Sequence, residues 1–274
     1  MKKSIAFTVI IMLILVFGAH AASKQRIISL APSLTKNIYY LEADNQLVGC
    51  TSYCTEAVAD QKEIVASAIK VNIEKTVSLK PDIILVTTIT SPETIELLKK
   101  FNIRVEVFET PANTDEIFTQ FIRMGQMLNC ENKAEAIISD AKLKIESIKK
   151  QLPAFNKKIF FQIGAEPIFT VLPGTFMNDY ITFLGGENVS NDVRTGAVSR
   201  ESVVANNPDI IFIVTMGITG QEEYQQWQAF KDMQATRSKN IFIIDADKAC
   251  SPTPVTFVET LDTLVSLLKS TPNE

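Results

Sequence analysis

The sequence predicts an α/β chain folded as two lobes with one long helix between them, on three observations. From Arg26 onward, short apolar β-rich runs alternate with helical stretches, the pattern of helices layered on mainly parallel sheets. The stretch 132–152 then runs without Gly or Pro, with Ala136, Ile137, Leu143, Ile145 and Ile148 at partly helical spacing among many Lys and Glu. At about 1.5 Å per residue such a helix spans roughly 30 Å, enough to cross from one lobe to the next, although an ordinary surface helix inside one domain has the same pattern. Finally, one motif occurs once in each half: Glu74, then Pro81-Asp82-Ile83-Ile84, and Glu201, then Pro208-Asp209-Ile210-Ile211, with Pro seven residues after Glu both times. Each copy reads as a short helix, a Pro-Asp turn and a buried strand, so the halves share a plan.

In chain order, Met1-Lys2-Lys3, an apolar run over 5–17 and Gly18-Ala19-His20-Ala21 read as a secretory signal peptide cut after Ala21. The run falls short of the roughly 18 to 20 residues a membrane-crossing helix needs. It carries no cysteine for lipid attachment, so the expectation is a soluble periplasmic protein, not inserted in a membrane after cleavage, and a monomer. The expected division is leader 1–21, first lobe 22–130, connecting helix 131–153 and second lobe 154–274. First-lobe strands are expected at 27–30, 47–50, 83–86 and 104–108, with helices at 33–41, 73–79, 92–101 and 114–128. Pro153 ends the connector. The second lobe has expected strands at 159–163, 210–214 and 241–244 and helices at 175–184, 201–206, 222–230 and 255–269. Gly185-Gly186 stops the helix ending at Leu184, because glycine takes the left-handed conformation at little steric cost.

Composition narrows the chemistry. The formal charge of −4, with no cluster of Lys and Arg, argues against nucleic acid as a partner. The only histidine, His20, lies in the leader, so the cleaved chain has no imidazole for a Ser-His-Asp triad. Phosphate loops and GxSxG elbows are absent too. These absences weigh against an enzyme and no cofactor is expected, although an exported enzyme on the same two-lobed frame stays the rival from another class to a binding module. Asn72 and Ser199 stand two residues before Glu74 and Glu201 as N-caps, so each Glu complements a helix dipole, which is a sufficient reason for an acid there.

Several segments together resemble the periplasmic binding proteins of iron-siderophore, haem and cobalamin importers, most closely the cobalamin-binding kind. They are Arg26-Ile27-Ile28-Ser29-Leu30-Ala31-Pro32-Ser33, 49–53, 72–82, 175–188 with its Gly-Gly-Glu-Asn ending, and Val198-Ser199-Arg200-Glu201 before Asn207-Pro208-Asp209. The resemblance implies two Rossmann-like lobes facing each other across a ligand cleft and joined by a single long helix. The implied cargo is a metal-chelate small molecule, cobalamin favoured over ferric siderophore or haem, and the implied partners are the permease and ATPase of an ABC importer. Glu74 and Glu201 match the family's two permease-docking acids, one per lobe. Exposed ion pairs each contribute roughly 1 kcal/mol or less, so such a pair would set register more than affinity.

The resemblance also implies the ligand side. Tyr53 matches a first-lobe contact position, and its flat apolar face with a polar tip suits a large ring system; a buried strand-end aromatic is its other reading. Asp245 and the segment 248–253 match the second lobe's ligand-facing loop, with Thr253 where the family often has Arg. Tryptophans that line the cobalamin pocket elsewhere are missing, with Ala68, Ile69, Thr87 and Gly196 near those positions and Trp227 the only tryptophan. Cys50, Cys54 and Cys250 are expected at the cleft, as a local or interlobe disulfide, as buried apolar thiols, or as thiolate contacts to a metal in the ligand. With Cys130 they allow three full pairings, and spacing does not choose among them.

Overall fold

The two Pro-Asp turns build the same local device. Lys80 and Asn207, the residues before each proline, take left-handed backbone angles (φ 47° and 45°) that end the preceding short helix. Asp82 then accepts a hydrogen bond from the Arg26 backbone N–H at 2.7 Å on its carboxylate and donates its own N–H to the Arg26 carbonyl at 2.8 Å. Asp209 does the same to Lys158, at 2.8 Å in both directions. Each aspartate thus clips the start of the first strand of its lobe to the strand that follows the turn, setting their parallel register. The repeat in the sequence is a repeated clamp.

The computed structural model describes residues 24–67, 70–151, 156–214 and 220–270. The predicted leader and positions 68 and 69 lie outside them. Strands β1 (Ile27–Ser29), β2 (Leu47–Thr51), β3 (Glu63–Ala66), β4 (Ile83–Thr87) and β5 (Arg104–Phe108) form a parallel sheet in the order β3-β2-β1-β4-β5. The second sheet holds β6 (Lys158–Ala165), β7 (Ile168–Thr170), β8 (Glu187–Asn188), β9 (Ala197–Val198), β10 (Ile210–Val214) and β11 (Ile241–Ile244). Its path is β11-β10-β6-β7-β9, with β8 also on β6; β7 runs antiparallel to β6 and β9. Strands β3, β7, β8 and β9 and the helix Thr55–Ala59 were not expected, because each is only two to five residues long and shows no period.

The helix Glu131–Lys149 joins the lobes. Its buried stripe is Ala134, Ile138, Ala141, Ile145 and Ile148, a four-three spacing that keeps one face inward. Leu143, expected on that face, is 70 % exposed. The stripe packs on the helices Thr114–Met127 and Pro254–Ser270, and a Cβ added at Gly125 would come within 2.6 Å of the Ala134 Cβ, so glycine permits the close approach. One apolar core runs without a break from Ile27 and Phe121 of the first lobe through the connector to Phe161, Tyr180 and Phe257 of the second. The outer faces of the sheets have their own smaller cores, around Ile84 and Val86 and around Ile211 and Trp227. The lobes are therefore fused along their back as well as tethered.

Candidate ligand cleft and its rims

In parallel α/β sheets ligands sit beyond the carboxyl ends of the strands, where the chain leaves the sheet in loops. In the first lobe those loops are 52–54 after β2, 67 and 70–72 after β3 and 88–91 after β4; in the second they include the segment after β11. Two polar contacts bring the carboxyl ends of the lobes together. The Lys36 ammonium lies 2.8 Å from Glu56 Oε1 in its own lobe and 2.8 Å from Asp247 Oδ2 in the other. Asp179 Oδ2 accepts from the Thr114 N–H at 2.7 Å and from its hydroxyl at 2.6 Å. Burial works to lower the Lys36 pKa, but hydrogen bonds to Asp247 and Glu56 outweigh it and the pKa is raised. For Glu56 burial acts upward and the Lys36 hydrogen bond prevails, leaving its pKa lowered.

Tyr53 stands 59 % exposed on the 52–54 loop, its N–H held by Thr51 Oγ1 at 3.2 Å. Ile89, in the turn after β4, is 85 % exposed and was not among the expected site residues; its sequence signal is a lone isoleucine inside the polar run Thr87-Thr88-Ile89-Thr90-Ser91. An open hollow of about 660 Å³ adjoins the Tyr53 loop, lined in part by Ser52, Ala66, Ser67, Val71, Asn72 and Ile73. Thr87 is half-buried at the end of β4, and Gly196 is buried with φ 77°. Asp245 is exposed at the end of β11, where its carboxylate accepts from the Asp247 N–H at 2.8 Å and caps the helix Ala246–Ala249. Cys250 closes that helix half-buried, its thiol pKa pushed up to about 11 by burial and then by Asp245.

Three expected cleft residues turn inward. Cys50 and Cys54 are fully buried, because β2 lies inside the sheet and the helix Thr55–Ala59 folds Cys54 back onto the core. Hydrogen bonding from Cys50 pulls the Cys54 pKa down, with Thr35 and Thr51 hydroxyls at 3.1 and 3.3 Å from its sulfur, while that bond to Cys54 and then burial push Cys50 up. Both are closed off from the open side of the cleft in this structure. Thr253 is fully buried as well: its hydroxyl accepts from the Thr256 N–H at 3.0 Å, an N-cap for the helix Pro254–Ser270. All four cysteines are free thiols in this structure, and among the described residues no group of three His, Cys, Asp or Glu side chains is arranged for a metal ion. Trp227 is buried in the second lobe, donating to Gln162 Oε1 at 2.7 Å.

Glu74 and Glu201 are exposed, each the second residue of a short helix. The expected caps are in place: Asn72 accepts from the Lys75 N–H at 3.0 Å and Ser199 from the Ser202 N–H at 3.1 Å. Backbone N–H donation, then the Ser199 hydroxyl, holds the Glu201 carboxyl below its usual pKa.

A family model described as periplasmic binding protein matches residues 27–248. The chain belongs to that family. Among its relatives, the vitamin B12-binding protein of Vibrio cholerae is 28 % identical over 238 residues, 85 % of each chain. A possible iron-binding periplasmic solute-binding protein of Staphylococcus epidermidis is 26 % identical with a TM-score of 0.78, covering 89 % of this chain and 98 % of that one. The periplasmic haem-binding protein of Vibrio cholerae shares the fold, with a TM-score of 0.79 at 19 % identity over 90 % and 99 % of the two chains. As a periplasmic binding protein the chain takes a small molecule and serves an ABC importer; the family works outside the cytoplasm, and no helix among the described residues is long and apolar enough to cross a membrane.

Proposed function

We propose that this chain, cut after Ala21 and acting as a monomer in the periplasm, binds a cobalamin between its lobes and presents it to an ABC permease that docks on Glu74 and Glu201. On this reading residues 22–130 and 154–274 are the lobes and 131–153 the connector, and the chain performs no catalysis. The observation that carries it is the matched pair of acids: each is exposed, second in a capped helix, and followed at the same distance by a Pro-Asp clamp that fixes its helix to its lobe. Two carboxylates on rigid, equivalent mounts suit register-setting contacts with basic residues of a partner better than they suit a purely local dipole role. Cobalamin as cargo rests on the relative that binds it and on Tyr53 and Ile89, exposed apolar side chains at the carboxyl end of the first sheet that a large ring system would cover. Asp245 and Cys250 are the second-lobe candidates to face it.

Titration of the purified chain with cyanocobalamin, haemin and a ferric siderophore, read by absorbance and by melting temperature, tests the cargo. The expected result is saturable one-to-one binding of cyanocobalamin with a rise in Tm. A Tm rise with haemin or the siderophore alone would replace cobalamin by that ligand, and turnover of any of the three would replace the binding module by an enzyme.

A further inference from the structure

Lys36 is a buried cation, 5 % exposed, on the helix Pro32–Tyr40 that leaves β1. Its two partners are not equivalent in place. Glu56 follows Tyr53 by three residues, on the helix at the end of the Tyr53 loop. Asp247 follows Asp245 by two, in the helix that Asp245 caps. One ammonium therefore joins the two segments that carry candidate ligand residues on opposite lobes, 2.8 Å from each. Burying a lysine is unfavourable unless its charge is met, and of the two carboxylates that meet it Asp247 reaches from the other lobe.

We propose that Lys36 is a positioning residue that sets the spacing between the Tyr53 loop and the Asp245 loop across the cleft, acting as an interlobe clasp rather than a ligand contact. The shared core at the back of the lobes fixes their overall attachment, and Thr114 with Asp179 ties them a second time. Within its own lobe the short helix Ala246–Ala249 is seated by the Ala249 and Cys250 amides, which bond back to Asp245 and Ala246 at 3.0 Å, by Lys248 paired with Glu259 at 2.9 Å, and by the Tyr180 hydroxyl, which donates to the Ala249 carbonyl at 3.4 Å. Lys36 adds an ion pair to it from the first lobe. The clasp belongs to the chain without ligand; only its effect on ligand release rests on the cobalamin reading.

The test compares Lys36→Met, Lys36→Arg and Asp247→Asn. Methionine keeps the buried stem, and the carboxylates left behind, 35 % and 56 % exposed, are open to water, so the variants fold. In ligand-free protein, hydrogen exchange of the amides over 246–250 is expected to quicken about fivefold in Lys36→Met and in Asp247→Asn, with the connector amides unchanged and Lys36→Arg close to the parent. Release of cyanocobalamin is expected to quicken about as much in Lys36→Met and to recover in Lys36→Arg. Unchanged exchange over 246–250, an equal rise across the connector, or release that is indifferent to Lys36 overturns the clasp. Should the parent bind no cyanocobalamin, the cargo reading fails by itself and the exchange result still decides the clasp.

Discussion

The two lobes repeat one device on unequal foundations. In the first, the outer face of a wholly parallel sheet is covered by apolar side chains such as Ile28, Val65, Ile84 and Leu98, and the Glu74 helix is tied at its surface by the exposed pair Lys75 to Glu63 at 2.8 Å. In the second, the corresponding layer encloses a polar chain. Trp227 donates to Gln162, Gln162 donates to Glu223 Oε2 at 2.7 Å, and Arg200, the neighbour of Glu201, donates to the same oxygen at 2.8 Å while its guanidinium lies 4.3 Å from the Trp227 ring centre. The same helix-clamp-strand unit can thus be seated by greasy packing or by a buried ion pair. The second solution ties Arg200, and Glu201 beside it, to one buried acid, because a displaced Arg200 leaves Glu223 without its counter-charge at 5 % exposure.

If that contrast is right, removing the buried cation should have the largest effect on stability. Arg200→Met is expected to lower stability by about 3 to 5 kcal/mol in denaturant unfolding, since Glu223 loses its charge partner in the interior. Smaller in effect, Gly125→Ala strikes the seam where the first lobe meets the connector: the new methyl meets Ala134, and an overpacked helix contact is expected to lose about 1 to 3 kcal/mol. The clamps probe what the lobes share. Asp82→Ala and Asp209→Ala should each lose about 1 to 2 kcal/mol, by similar amounts, and a large difference between them would show that the repeated motif does different work in the two halves. Smallest of all, Lys75→Ala, which breaks the exposed pair of the first lobe, should cost under about 1 kcal/mol and lose even that at high salt.

How far the sequence discloses this arrangement depends on the range of the interaction. The Pro-Asp units, the caps Asn72 and Ser199 and the stop after Leu184, where Gly185 takes φ 73°, are local devices written in consecutive residues. The connector was legible as a helix through its lack of breakers, but its inward face was not: Leu143 suggested one stripe, and the alanines at 134 and 141 formed another because the neighbouring helices approach too closely for larger side chains. Tyr53 and Asp245 are exposed at strand ends as their neighbourhood suggested, whereas Cys50 went inward because β2 is interior to its sheet and buried on both faces, where alternation carries no signal, and Cys54 because the helix Thr55–Ala59 folds it onto the core. The bridge from Lys36 to Asp247 joins residues 211 positions apart and leaves no trace in either segment.

The reading of the pair Glu74 and Glu201 as a docking register is tested most directly by uptake of labelled cyanocobalamin into cells that depend on this chain, comparing the parent with Glu74→Arg/Glu201→Arg after checking that the purified variant binds the vitamin as the parent does. Uptake should collapse while binding persists. Undiminished uptake with both acids reversed would mean that the two helices are mounted alike for the sake of the fold alone.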